Sequence, residues 1–241
     1  MKRILHLGLG RFHRAHQAWY TQRVNEKEDG WRITAVSLRR PDAARALAEA
    51  GFRYHVAVRT ENDYEITPID CIDETLGPTD RESILARFAS ANTHVVTLTV
   101  TEKGYGRGPD GGLDIEDERV SHDLKHPEFP RSTLGWLVRG LEARRHNAPE
   151  SGLTVAACDN LPNNGVMLER LVVTMAERLG YEELVAWLPE RVSFPSSMVD
   201  RIVPAPTRDE IHAFGAHTEI DDPNVVFTEP FSEWVLERRF A

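Results

Sequence analysis

The sequence predicts an α/β protein with a doubly wound, mostly parallel sheet. Two runs, "THVVTLTV" (Thr93–Val100) and "LTVAACD" (Leu153–Asp159), have the apolar and β-branched content of strands buried on both faces. Strand-like and helix-like segments alternate as far as Gly180. An apolar stretch near the start, "ILHLGLGRFHRAHQAWY" (Ile4–Tyr20), runs into two glycines and then into a helical pattern.

Taken in order, Arg3–Leu7 is a short strand and Phe12–Glu28 a helix carrying Ala15, Trp19 and Val24. Trp31–Leu38 is β-rich, and "PDAARALAEAG" is a helix with Pro41 in its first turn and Gly51 as its stop. "RYHVAVR" and "YEITPIDCI" form two strands joined by the polar turn Thr60–Asp63, an inserted β-hairpin. Thr79–Ala91 is helical ahead of the Thr93–Val100 strand. A glycine-rich loop, "TEKGYGRGPDGGLD", leads to a helix over Ser132–Arg145. After Leu153–Asp159 come the turn "NLPNNG" and a helix near Val166–Leu179. Beyond Gly180 the pattern is mixed, with apolar pieces around Val192–Val203 and Val225–Leu236.

With 241 residues, 41% of them apolar and 28% charged, the chain can bury a sizeable core. The net charge of −9 argues against general nucleic-acid affinity. No apolar run approaches the ~20 residues that span a bilayer, and the N-terminus lacks a signal peptide's apolar region. Cys71 and Cys158 form no C-x-x-C and read as buried thiols. A cytoplasmic protein is expected, with no membrane and no nucleic-acid partner.

Gly8 and Gly10 follow a strand and precede a helix, as in the phosphate turn of a dinucleotide site, with His13 where the third glycine of G-x-G-x-x-G belongs. An ordinary glycine turn is the alternative. His6, His13 and His16 as a metal cluster is less favoured than packed or solvated histidines, because no carboxylate or cysteine stands at a supporting interval. At the end of the second strand "SLRRPDA" offers both cofactor chemistries: Asp42 for ribose hydroxyls, Arg39 and Arg40 for a 2′-phosphate. A solvated loop opening the next helix explains the same residues.

Three further stretches, "TLTVTEKGY" (Thr97–Tyr105), "CDNLPNNG" (Cys158–Gly165) and "FPSSMVDRIVPAPT" (Phe194–Thr207), join "GLGRFHRAHQA" ahead and "EPFSEWVLE" (Glu229–Glu237) behind. This ordered set, covering essentially the whole chain, resembles the polyol-specific long-chain dehydrogenases. That family includes mannitol 2-dehydrogenases and the fructuronate, tagaturonate and arabinitol oxidoreductases of carbohydrate metabolism. The family's glycine loop resembles G-x-G-x-F-x-R-x-H, so the resemblance accounts for His13.

The resemblance implies a Rossmann-like cofactor domain over residues 1–241 with part of a substrate cleft. It implies NAD as cofactor, with NADP left open by Arg39 and Arg40, and no metal. The cofactor site would comprise Gly8, Leu9, Gly10, Arg11, Phe12, Arg39 and Asp42, with Thr101 and Glu102 lining the nicotinamide side. Asn160 would donate to the carbonyl or alkoxide oxygen of a sugar alcohol or keto-sugar acid, and Asp200 would contact a substrate hydroxyl. Taken singly, Asp159 and Asn160 also read as a turn, and "MVDRIVP" as an edge strand.

The family's base is a lysine in a motif resembling K-x-x-x-x-N-x-x-H, carried by a mainly helical C-terminal domain. None of Lys2, Lys27, Lys103 and Lys125 has that context. Lys103 at an ordinary pKa of about 10.4 would be a poor substitute base. The expectation is therefore a cofactor-binding half whose catalytic domain, absent after residue 241, is supplied in cis or in trans, with an apolar face left exposed. Two other functions compete. One is a non-catalytic nucleotide-binding or interaction module; the other, an adenosylmethionine-dependent methyltransferase, leaves "TEKGY" and "FPSSMVD" poorly explained.

Overall fold

The computed structural model describes residues 1–28, 30–100 and 102–241, with the backbone alone at Glu102 and Lys103. In chain order its strands are β1 (Lys2–Leu7), β2 (Trp31–Val36), β3 (Tyr54–Arg59), β4 (Tyr64–Ile69), β5 (Ile72–Leu76), β6 (Thr93–Leu98), β7 (Leu153–Ala157), β8 (Val192–Ser193), β9 (Ser197–Arg201), β10 (Val226–Thr228) and β11 (Ser232–Leu236). The α-helices are α1 (Arg11–Ala15), α2 (Gln17–Asn25), α3 (Asp42–Glu49), α4 (Arg81–Ala89), α5 (Glu118–Lys125), α6 (Thr133–Asn147), α7 (Asn164–Arg178), α8 (Glu182–Arg191) and α9 (Arg208–Thr218).

A six-stranded sheet of order β5-β2-β1-β6-β7-β8 is parallel throughout. The chain winds outward from β1 through β2 to β5, then returns to the other side of β1 for β6, β7 and β8. The order therefore reverses between β1 and β6. Strand alternation sends Leu5, Leu7, Val96, Leu98 and Val155 to one face, under Phe88, Leu137, Leu141, Leu168 and Val172 from α4, α6 and α7. Ile4, Ile33 and Ala35 point to the other, against Ala15, Ala18, Ala44 and Leu47. Helices cover both faces, which is why β6 and β7 read as near-continuous apolar and β-branched runs.

The hairpin forms as predicted: β3 and β4 pair antiparallel from Tyr54↔Ile69 to Arg59↔Tyr64, and β10 adds parallel to β3. The structure differs at "YEITPIDCI", which spans two strands. β4 ends at Ile69, and β5 begins at Ile72 in the main sheet beside β2. Gln22 Oε1 accepts the Asp70 and Cys71 N–H groups at 3.2 and 3.1 Å, holding the chain where it changes sheets. Pro68, which has no N–H to give, sits on the edge strand of the small sheet.

The helix expected over Phe12–Glu28 is two helices, broken at His16 with φ −110° and ψ −87°. Its buried ring reaches the Glu233 carbonyl at 2.9 Å and packs beside Trp234, so β11 holds the break. In the mixed C-terminal region α8 and α9 add helices, and β9 with β11 makes an antiparallel ribbon. The start of α9 carries a sequence signal, Thr207 and Glu210, which cap it reciprocally. Among the described residues no helix is long and apolar enough to cross a membrane.

Helices α4 and α6 pack closely at Gly140 of α6, where an added Cβ would lie 2.4 Å from the Phe88 ring of α4. Gly140→Ala is expected to cost about 1–3 kcal/mol through overpacking, despite alanine's better helix propensity. A urea midpoint unchanged or raised in the variant would show that α4 and α6 separate without cost.

Candidate functional site

The reversal of strand order at β1 and β6 opens a crevice at their carboxyl ends, where open α/β sheets bind ligands. Gly8 makes the turn out of β1 with φ +113°. Its N–H and that of Leu9 both donate to the Val36 carbonyl at 2.9 Å. A Cβ on Gly8 would stand 2.5 Å from the Thr99 carbonyl oxygen. The residue is therefore glycine for two reasons, the positive φ and the approach of the β6 end. Thr99 Oγ1 donates back to the Gly8 carbonyl at 2.9 Å. Gly10 begins α1 in an extended conformation, with only Gly8 O, at 3.7 Å, near an added Cβ.

Beneath this turn lies a pair of stacked rings. His6, on the face of β1 opposite Leu5 and Leu7, lies 3.5 Å centroid to centroid from His13 of α1, at 9°. The helix–strand contact that the third glycine makes in G-x-G-x-x-G turns is made here by two imidazoles. His6 Nε2–H is shared by Thr99 Oγ1 at 3.0 Å and Gly8 O at 3.3 Å, while Thr97 Oγ1 donates to Nδ1 at 2.8 Å. His13 Nε2 pairs with Gln17 Oε1 at 2.7 Å. Burial brings His6 down to about 3, against the pull of the Gly8 carbonyl. Burial and then the neighbouring His6 place His13 well below its usual range, and burial also lowers His16. The histidines serve packing, and among the described residues no cluster suited to a metal ion is found.

Two cavities adjoin along the carboxyl edge, sharing Thr99 and Val100. The first, about 420 Å³, is bounded by Gly8 and Leu9, by Ser37–Arg40, Asp42 and Ala43 after β2, and by Arg119, Arg131 and Thr133 facing them. Arg40 Nε stands 3.3 Å from Asp42 Oδ2. The second, about 400 Å³, is bounded by Phe12, Cys158, Asp159, Asn160, Leu161 and Val199. Burial pushes the Cys158 thiol up to about 12, which removes it as a nucleophile near neutral pH.

A polar lock frames this second cavity. The buried Tyr105 hydroxyl donates to Asp159 Oδ2, while Asp159 Oδ1 accepts from Leu161 N at 3.0 Å and Asn164 Nδ2 at 2.8 Å. Asn164 also donates to Ser197 O at 3.0 Å and accepts from Ser197 N at 2.8 Å, tying the start of α7 to β9. Burial, then the adjacent Asp159 carboxylate, pushes the Tyr105 phenol far above its ordinary value, so it stays a donor. Val199 N–H donates to Asn160 Oδ1 at 3.3 Å. That contact occupies the carbonyl side of the Asn160 amide and leaves its NH₂ as the available donor.

Of the residues expected at a site, Gly8, Leu9, Arg39 and Asp42 meet at the first cavity, and Phe12 and Asn160 at the second. Gly10 and the exposed Arg11 line neither. Asp200 is exposed on β9, opposite Glu233 of β11, and lines neither cavity although Val199 beside it does. Thr101 lies outside the described residues, as do the side chains of Glu102 and Lys103. Sequence reasoning missed Arg119, Arg131 and the Tyr105–Asp159–Asn164 lock. The two arginines carry no spacing signal, and Asn164 sits inside a run that reads as a turn.

The family model described as the mannitol dehydrogenase Rossmann domain matches residues 2–241. The chain belongs to the mannitol dehydrogenase family. It is 39% identical to the D-mannonate oxidoreductase of Escherichia coli K12, over 99% of this chain and 50% of that protein. It is 32% identical to the polyol:NADP oxidoreductase of Gluconobacter oxydans, with the same coverages. The solved ternary complex of Pseudomonas fluorescens mannitol 2-dehydrogenase with NAD and D-mannitol superposes with a TM-score of 0.90 and 35% identity, over 99% of this chain and 50% of that one. The chain thus spans about half the length of the relatives it matches. Beside the second cavity the β9–β11 ribbon and the residue leading into it present apolar side chains to solvent, with Met198 37%, Val235 56% and Phe231 57% exposed.

The buried histidines set a pH dependence. In the unfolded chain each titrates near 6.5, and in the fold each is held lower, His6 at about 3. The unfolded state therefore binds more protons below pH 6.5, and the stability these residues confer is present above that pH and lost as it falls toward 3. The slope approaches about 1.4 kcal/mol per pH unit for each histidine involved. Urea midpoints at pH 7.5 and 5.5 are expected to fall accordingly, and His13→Gln should flatten the slope; equal midpoints in the native chain contradict this. Tyr105→Phe leaves Asp159 Oδ2 short of its donor and is expected to cost about 1–3 kcal/mol, read in the same unfolding assay.

Proposed function

We propose that this chain binds NAD(H) across the β1–β6 crevice and serves hydride transfer between a sugar alcohol or aldonate and its keto form. The observation that carries the reading is the Gly8 turn at the point where strand order reverses, with two cavities meeting at Thr99 and Val100. The first cavity fits an adenosine moiety beside Asp42, and the peptide between Gly8 and Gly10 is open to a pyrophosphate. The second, behind Phe12, fits a nicotinamide and the reacting end of a substrate. Family membership and the relative solved with NAD and D-mannitol support the same assignment.

Bound nicotinamide would supply the hydride acceptor or donor. The protein's part is to hold the carbinol carbon against it and to stabilise charge on the oxygen. The Asn160 NH₂ donates to that oxygen, where negative charge grows during the transfer. The Asp159 lock fixes the turn that presents Asn160, and Val199 sets which way its amide faces. The hydroxyl proton needs a base, and the K-x-x-x-x-N-x-x-H pattern expected for one has no counterpart in these 241 residues. We assign the chain to the cofactor-binding half of the enzyme, with the exposed β9–β11 face toward the half that carries the base. A nucleotide-binding module without turnover is the second reading, and it rests on the same missing lysine motif. Oxidation of NADH by the chain in the presence of a keto-sugar acid would exclude that module.

Calorimetric titration of the chain with NADH is expected to show saturable one-site binding. Gly8→Ala should weaken it at least tenfold, because the added methyl collides with the Thr99 carbonyl and requires a strained φ. No binding by chain shown to be folded, or an unaltered affinity in a folded Gly8→Ala variant, contradicts the assignment.

A further inference from the structure

The wall of the first cavity is more cationic than a ribose diol requires. Arg39 and Arg40 stand at the end of β2, and Arg119 and Arg131 face them from the segment leading into α6. The chain as a whole carries a net charge of −9, so this concentration of guanidinium groups runs against its average. Asp42 also lines the cavity, and its Oδ2 lies 3.3 Å from Arg40 Nε in an exposed ion pair. Arg119 is oriented by Asp117, with an Nη2–Oδ2 distance of 2.8 Å. The Arg131 backbone is anchored by its N–H to Asp123 Oδ1 at 2.7 Å, while its side chain is exposed.

A second, independent feature points to a ligand in the same place. Ser37 is 5% exposed and lines this cavity, yet its Oγ has no hydrogen-bond partner among the described residues. A buried hydroxyl left without a partner costs free energy, which an acceptor bound in the cavity would recover. The acceptor that suits a buried hydroxyl flanked by guanidinium groups is a phosphate oxygen. Arginine's planar fork matches phosphate geometry, and a phosphate monoester brings about −1.5 to −2 charges near pH 7.

We infer that this cavity takes the 2′-phosphate of a phosphorylated dinucleotide, so that the chain holds NADP(H) more tightly than NAD(H). Arg39 and Arg131 grip the phosphate from opposite walls, and the Ser37 hydroxyl donates to it. Arg40 remains with Asp42, and Arg119 adds positive field. The inference rests on the dinucleotide reading of the crevice and goes beyond it, since an unphosphorylated ribose brings no anion to this wall of the cavity.

Calorimetric titrations with NADPH and NADH separate the two claims. NADPH is expected to bind at least tenfold tighter than NADH at low salt, with an affinity falling more steeply as salt is raised. Arg131→Met should reduce affinity for NADPH about tenfold more than for NADH. Adenosine 2′,5′-bisphosphate should compete for the site at concentrations where 5′-AMP does not. Ser37→Ala, a smaller change, should also lower NADPH affinity more than NADH affinity. Binding of NADH with NADPH equal or weaker overturns this inference and leaves the dinucleotide site standing. Loss of both affinities by the same factor in folded Arg131→Met also overturns it. Binding of neither nucleotide overturns both readings.

Discussion

Two backbone segments approach at the centre of the sheet more closely than any side chain would permit. Gly8 turns out of β1 directly against the Thr99 carbonyl, and Thr99 closes the contact by donating its hydroxyl to Gly8 O. The rest of the carboxyl edge depends on that approach. It sets how far β6 extends beyond β1, and so where Thr99 and Val100 stand as the wall common to both cavities. The His6–His13 stack supports it from below by filling the gap between strand and helix with flat neutral rings. Neutrality is part of the support: a proton on either ring would place a charge in a fully buried stack.

The second cavity has a different construction. There the frame is polar, running from Tyr105 through Asp159 and Asn164 to the β9 backbone at Ser197. A network of this kind fixes geometry because every member loses a partner if one moves. It joins the loop after β6, the end of β7, the start of α7 and the β9–β11 ribbon around Asn160. The same ribbon holds the break between α1 and α2 through His16 and the Glu233 carbonyl, so the helices that follow the Gly8 turn are also tied to β11. The two ends of the cleft are thus built on different physics: backbone crowding and buried rings at the Gly8 turn, and a hydrogen-bonded lattice around Asn160.

The parallel sheet was legible because strands buried on both faces must be apolar throughout, and "THVVTLTV" and "LTVAACD" are. The hairpin was legible from its polar turn. The passage of the chain from β4 into β5 was not, since the contact that turns it, from Gln22, lies far away in sequence. The break at His16 was hidden for the same reason: the residue reads as one more helical position until β11 is seen beside it. At the site, Gly8 and Asn160 announce themselves by motif, whereas Arg119 and Arg131 reach the first cavity only through the fold of the segment before α6. Asp200 shows the converse. Its motif is plain in the sequence, yet its side of the ribbon faces solvent.

The crevice at β1 and β6 is where a dinucleotide would lie against the Gly8 turn. Hydrogen exchange of the chain with and without saturating NADH tests this most directly. Slowed exchange is expected in peptides covering residues 8–12, 37–43 and 158–161, with the β3–β4 hairpin and α9 unchanged. Protection confined to the hairpin and α9, or none where calorimetry shows saturation, would contradict the placement of the site.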